Sequence, residues 1–226
     1  MKSNTAWDLD ALRLRIAATR SDTEATDEII SSIHKSFCIF RYHISSARDA
    51  MNGVFREDNE ENLDTLLFGR GDNKRGTQIA YAKIVSEANL ICCLHTTRGL
   101  WDIFAQLLNA LVLPCPLAES KCDIATVAAT LPPSSLKDSV DRLLGSHWYL
   151  YVSAFVNTTK HRRLVPHRLS ISLDEDRAGI RIAGFTYSTN RKSDSFQEYW
   201  DTEVLDGAIE VKDAIVNCGR ELNASI

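Results

Sequence analysis

The run ANLICCLHTTRGLWDIFAQLLNALVL, residues 88–113, constrains this chain more than any other. No proline interrupts the chain between Gly76 and Pro114, so a single helix is predicted from about Gly76 to Leu113, ended by Pro114 and Pro116. Leu90, Leu94, Trp101, Leu108 and Leu111 or Val112 form its core stripe. The rest of its surface is almost as apolar, and a helix apolar nearly all round belongs at the centre of a bundle. One polar stripe runs through it. His95, Asp102 and Asn109 are seven residues apart and stack on nearly one face, with Arg98 and Gln106 beside them. A central helix must satisfy such groups internally, because a buried unpaired charge costs several kcal/mol. Either Asp102 pairs with Arg98 at i−4 while His95 faces solvent, or the stripe faces a pocket or a helix that supplies cations.

A second long helix is expected from about Thr23 to Phe55, where Ile29, Ile33, Phe37, Phe40, Ile44, Ala47 and Met51 recur at steps of three and four. Shorter helices are expected over residues 9–20, 122–130, 135–144 and 146–163, with Ser134 or Ser135 as a cap. REDNEENLD reads as an acidic loop or helix end, and GRGDNKRG as a turn. HRLSISL and GIRIAGFTY then alternate with period two around the turn-rich DEDRAG, which is the pattern of a β-hairpin. The expected fold is mainly α. It is an antiparallel helical bundle with two long helices, one late β-hairpin and a C-terminal helix. The boundaries are a single domain of residues 1–226, with the bundle at about 5–164, the hairpin at about 165–188 and the closing helix at about 202–222.

A net charge of −4 argues against a protein coated in basic surface for DNA. The six cysteines include no C-x-x-C pair and read as buried free thiols of a reducing compartment. No signal peptide and no membrane-spanning run is evident, so a cytoplasmic location is expected, and the sequons at Asn157 and Asn223 are not glycosylation sites. No cofactor motif is present.

Against that acidic background, FVNTTKHRRLVPHRLS (155–170) holds four cations and two histidines, and no Asp or Glu occurs from Leu143 to Leu173. On the helix preceding Pro166, Trp148, Val152, Phe155 and Thr159 form one face, and Leu150, Ala154, Asn157 and His161 the opposite one. Asn157, Lys160 and His161 together offer amide donors, an ammonium and an imidazole, a set suited to a phosphate or carboxylate. Arg162 and Arg163 also suit a helix C-terminus, where cations favour the dipole.

LHTTRGLWDIFAQLLN, NTTKHR, the hairpin and the closing helix together resemble uncharacterised bacterial helical proteins related to the HEPN superfamily, over about residues 76–222. The resemblance implies a homodimeric helical bundle that either binds nucleotide or RNA without catalysis or acts as a metal-independent endoribonuclease of toxin or phage-defence type. The nuclease motif of that family is an Arg with a His four to six residues later on the same helix. Arg162 and His167 meet the spacing, Arg to stabilise the phosphorane charge and His to move a proton. Pro166 departs from the pattern, since it should place His167 on a strand.

Three functions follow. The chain is a nucleotide- or RNA-phosphate-binding module using His95, Asp102, Asn157 and Lys160 with the neighbouring cations. Alternatively it is a ribonuclease through His161, Arg162 and His167, or through Asn157, Lys160 and His161 with Asp102 or His95 opposite. A third reading is a structural or interaction protein whose polar groups form a buried network. No metal is expected, because no histidine pair stands at ligand spacing.

Overall fold

The computed structural model describes residues 6–52, 54, 73–175, 177–188 and 193–226. Expectations for REDNEENLD, for Phe55 and for the first half of GRGDNKRG lie outside them. The fold is mainly α, with two long helices, a small late antiparallel sheet and a C-terminal helix. The α-helices are α1 (Leu9–Thr19), α2 (Glu24–Ala50), α3 (Asn73–Leu111), α4 (Ile124–Thr130), α5 (Ser135–Leu144), α6 (His147–His161) and α7 (Asp201–Ser225). Residues 73–76, expected as a turn, form the first turn of α3. Gly76 is tolerated there, and a Cβ at that position would meet nothing within 4 Å.

The short helices begin where a side chain accepts from otherwise unpaired backbone N–H groups. The Asp8 carboxylate caps α1 through Ala11 N, Asp123 caps α4 through Ala125 and Thr126, and Ser134 caps α5 through Lys137 N. At the head of α7 the cap is reciprocal in spirit. Asp201 accepts from Thr202 N at 2.8 Å, and Glu203 reaches back to Trp200 N at 2.7 Å.

The strands are β1 (His167–Ser172), β2 (Arg177–Ile182), β3 (Phe185–Ser188), β4 (Ser193–Phe196) and β5 (Tyr199–Trp200). β1 and β2 form the expected hairpin, with Leu169 opposite Ile180, and β5 adds to the other edge of β2. The expected second strand, GIRIAGFTY, is divided in two. β2 ends at Ile182, and Phe185 opens a separate hairpin of β3 with β4. Gly184 sits at the break because a Cβ there would lie 2.9 Å from the Phe196 carbonyl oxygen, too close for any other residue.

The chain divides into two compact units, Met1–Ile39 with Thr96–Leu150 and Ala208–Ile226, and Phe40–His95 with Tyr151–Gly207. In the first, Leu12, Ile16, Ile30, Ile33, Trp101, Phe104, Val140 and Ile215 are fully buried. Trp7 meets Phe104 edge-on with ring centres 5.6 Å apart and lies directly against Gly219 of α7, where a Cβ would fall 2.1 Å from the indole. The Trp7 indole N–H donates to Asn223 Oδ1 at 3.0 Å, which ties the segment before α1 to α7. In the second unit both hairpins pack on α6 through an aromatic cluster. Tyr151 lies within 5.6 Å, ring to ring, of Phe185, Phe196 and Tyr199. Each such pair contributes about 1 kcal/mol beyond area burial. A hairpin alone is marginal in water, and this packing stabilises both.

Candidate functional site

The polar stripe of α3 resolves into four separate arrangements. Asn109 is buried and makes two hydrogen bonds to one residue beyond the prolines. Its Nδ2 donates to the Leu117 carbonyl at 3.0 Å, and its Oδ1 accepts from Leu117 N at 2.7 Å. Gln106 donates to the carbonyl of Cys122 at 3.3 Å. Both fasten the loop that follows α3. Asp102 is paired with Arg98 one turn earlier. Burial works to lower the Arg98 guanidinium, but the hydrogen bond and charge of Asp102 outweigh it and hold it above its ordinary value.

His95, which one expectation had facing solvent, is half-buried and engaged on α6. Its Nε2 is 3.0 Å from Thr159 Oγ1 on α6. The Thr159 hydroxyl lies 3.0 Å from the Phe155 carbonyl and 3.1 Å from that of Val156. In one imidazole tautomer the hydroxyl donates to one of these carbonyls and its oxygen accepts from His95 Nε2–H; in the other the hydroxyl donates to the bare His95 Nε2. Burial, and then the Lys160 ammonium, lower the His95 imidazole below its ordinary range, which keeps it neutral at neutral pH.

α6 ends where Arg162 N and Arg163 N both bond to the Thr158 carbonyl, at 2.9 and 3.0 Å. Asn157 is half-buried, one turn before a run of outward residues. Lys160, His161, Arg162, Arg163 and Leu164 are all exposed, and Arg168 on β1 is exposed too. Among the described residues none of these cations is paired with a carboxylate. Arg162 is positioned instead by a neutral contact. It donates to the Ser188 carbonyl and lies over the Tyr187 ring, its guanidinium carbon 4.8 Å from the centroid. Tyr187 was missed at the sequence level, because the contact spans 25 residues and depends on the unforeseen β3–β4 hairpin.

His167 lies on the far side of Pro166, as the first residue of β1, and is 4% exposed. Its ring packs edge-on against Phe155, and neither ring nitrogen has a hydrogen-bond partner among the described residues. Burial, with a smaller contribution from Lys83, pushes its pKa down to about 4. Arg162 and His167 therefore do not present their functional groups on a shared surface. The fold brings together His95, Thr159 and Lys160 on one side, and Arg162 and Tyr187 on another. Asp102 belongs to the other compact unit and is engaged with Arg98.

A further network lies on β2. Arg177, Gly179 and Arg181 alternate onto one face, and the Trp200 indole lies across them, 4.8 and 4.3 Å from the two guanidinium carbons. Gly179 leaves room for the ring, since a Cβ there would be 3.7 Å from it. Arg181 pairs with Glu175 at 2.8 Å and Glu198 at 3.1 Å, so its charge is internally compensated, while Arg177 donates to the Thr202 hydroxyl. All six cysteines are free thiols, but Cys92 and Cys115 are exposed rather than buried, so the expected burial holds for only part of the set. Among the described residues no helix is long and apolar enough to cross a membrane, and no three His, Cys, Asp or Glu are grouped to hold a metal. No protein-family model, curated protein or solved structure matches the chain.

Proposed function

We propose that the turn closing α6 binds the phosphates of a nucleotide or of single-stranded RNA, as a HEPN-like module. One observation carries this reading. Lys160, His161, Arg162 and Arg163 are consecutive and exposed, and among the described residues no carboxylate compensates them. Contrast Arg181 of β2, which is paired with both Glu175 and Glu198. Arg162 keeps donors to spare, because a guanidinium has five N–H groups and Ser188 takes only part of that capacity. Tyr187 beneath it adds an aromatic surface of the kind on which bases stack. Asn157 is one turn away and supplies an amide.

Salt dependence is the test. Fluorescence anisotropy with a labelled RNA oligomer should show binding at about 50 mM salt that weakens steeply towards about 200 mM. The Lys160→Ala/Arg163→Ala double variant should flatten the log–log slope by about 1.4, or 0.7 for each lost phosphate contact on a single strand. No binding at low salt, or an unaltered slope, would overturn the reading.

Metal-independent RNA cleavage is a second reading, favoured by the exposed His161 next to Arg162 and Arg163. In it His161 moves the 2′-hydroxyl proton and the arginines stabilise the phosphorane charge. It predicts EDTA-resistant cleavage lost in His161→Ala and kept in His167→Leu. For His95 and Asp102 the geometry supports the structural role, because each already holds a protein partner.

A further inference from the structure

α3 carries apolar residues on two faces, and the described residues cover just one of them. Ile79, Ala82, Leu90, Cys93 and Leu94 are buried. On the opposite face, at helical steps of three and four, stand Tyr81 (69% exposed), Ile84 (62% exposed), Ala88 and Cys92. This outward face is uncharged. Between Gly76 and His95 the charged residues are Lys83 and Glu87, one turn apart on the same flank. They have opposite sign and are half-buried, and neither is in an ion pair among the described residues. The other flank is closed by α2, where His43 Nδ1 meets Asn89 Oδ1 at 2.8 Å.

We propose that this face of α3 pairs with the same face of a second copy of the chain, antiparallel, about a two-fold axis near residue 85. Two features select a copy of itself and that direction. The first is shape. The bulky side chains, Tyr81 and Ile84, occupy the N-terminal half of the face, and the small ones, Ala88 and Cys92, the C-terminal half. With the axis near residue 85, an antiparallel two-fold sets Tyr81 of each copy beside Ala88 of the other and brings the two Ile84 side chains together at the centre, whereas a parallel one sets Tyr81 on Tyr81. The second is charge. A two-fold axis across the helix keeps each flank on its own side and reverses its order. Lys83 of one copy then lies beside Glu87 of the other, twice over. In the parallel arrangement that flank meets the Asn89 flank and both charges stay unpaired. An uncharged centre with complementary charges along its edge is the pattern by which paired helices choose partner and direction. The inference rests on α3 alone, so its failure and that of the phosphate reading can be told apart.

Sedimentation velocity on the full chain, up to roughly 100 µM, should show a reversible dimer. Ile84→Glu should give a monomer with unchanged helical circular dichroism. Lys83→Glu should weaken dimerisation about tenfold, by setting like charges opposite each other, and Lys83→Glu/Glu87→Lys should restore it. The rescue reads the interface even if Ile84→Glu fails to fold. In a Cys115→Ser background, mild oxidation should give no disulfide-linked dimer, because the two Cys92 residues lie about 21 Å apart along the antiparallel pair, fourteen residues at 1.5 Å each. A monomer throughout, a charge swap without rescue, or a Cys92–Cys92 disulfide would overturn the proposal.

Discussion

The polar stripe of α3 and the turn at the end of α6 are both unusual in sequence for the same reason, polar groups beside an apolar run, yet the fold uses them in opposite ways. On α3 each group finds a protein partner: Asn109 takes Leu117, Gln106 takes Cys122, Asp102 takes Arg98 and His95 takes Thr159. At the end of α6 residues 160–163 are exposed, and Arg162 is held there by the Ser188 carbonyl and the Tyr187 ring rather than by a carboxylate. The two histidines of that segment, six residues apart, differ in burial, His161 exposed and His167 buried, and His167 is the exception to the pairing because neither ring nitrogen has a partner among the described residues. A polar residue inside a packed element is therefore a structural requirement until its partners are accounted for. Unpaired polar groups at a helix end are better evidence for a ligand.

The largest test of that contrast is His167. Its folded pKa of about 4 lies below the ordinary 6.5 of the unfolded chain. Over that window the native state binds fewer protons than the unfolded one. The stability present above pH 6.5 is lost as pH falls to 4, by about 3 kcal/mol in all. Asp201 acts in the opposite sense, because burial pushes it up to about 6, so its contribution is lost as pH rises from about 4 to 6. Denaturant midpoints of wild type and His167→Leu, compared across pH 4 to 7, isolate the histidine. The variant should be at least as stable as wild type at pH 7, since it removes two unpartnered buried nitrogens, and should gain further as pH falls. A constant difference across that range would show that His167 is not held neutral by burial.

Asn109 comes next. Asn109→Ala leaves both the N–H and the carbonyl of Leu117 without their partner and should cost about 2 kcal/mol in urea unfolding. RNA affinity should stay as in wild type. A loss of affinity at equal stability would move Asn109 from the structural set to the ligand set and break the contrast.

Local periodicity made most of this fold legible. The helices follow the three-and-four spacing to within a few residues, and Arg98 with Asp102 is readable from the i,i+4 step alone. What failed was non-local. GIRIAGFTY looked like one strand, although its apolar positions change parity between Ile182 and Phe185. That change marks the break at Gly184, and the close approach of the Phe196 carbonyl enforces it. The cationic turn was visible as an acid-free segment, but the support of Arg162 by Tyr187 and Ser188 depends on a hairpin whose register is set by tertiary packing. The bond between His95 and Thr159 joins residues 64 apart, and no spacing rule connects them.

Asp102→Ala is a smaller test. The carboxylate is about half exposed, 48% for its side chain, and partly exposed i,i+4 pairs contribute about 0.5 kcal/mol after screening. The smallest expected effect on stability is also the most informative. Lys160→Ala/Arg163→Ala removes two exposed cations that hold no carboxylate partner among the described residues, so the unfolding midpoint should move by less than about 0.5 kcal/mol. Both side chains lie at the C-terminal end of α6, where the dipole favours positive charge, so a small loss rather than a gain is expected. If the phosphate reading is right, the same variant loses RNA affinity while its stability barely moves. Asn109→Ala should do the reverse. Were the double alanine variant to lose stability in proportion to affinity, the cations would be ending the helix rather than presenting a ligand site, and the two regions would no longer differ in kind.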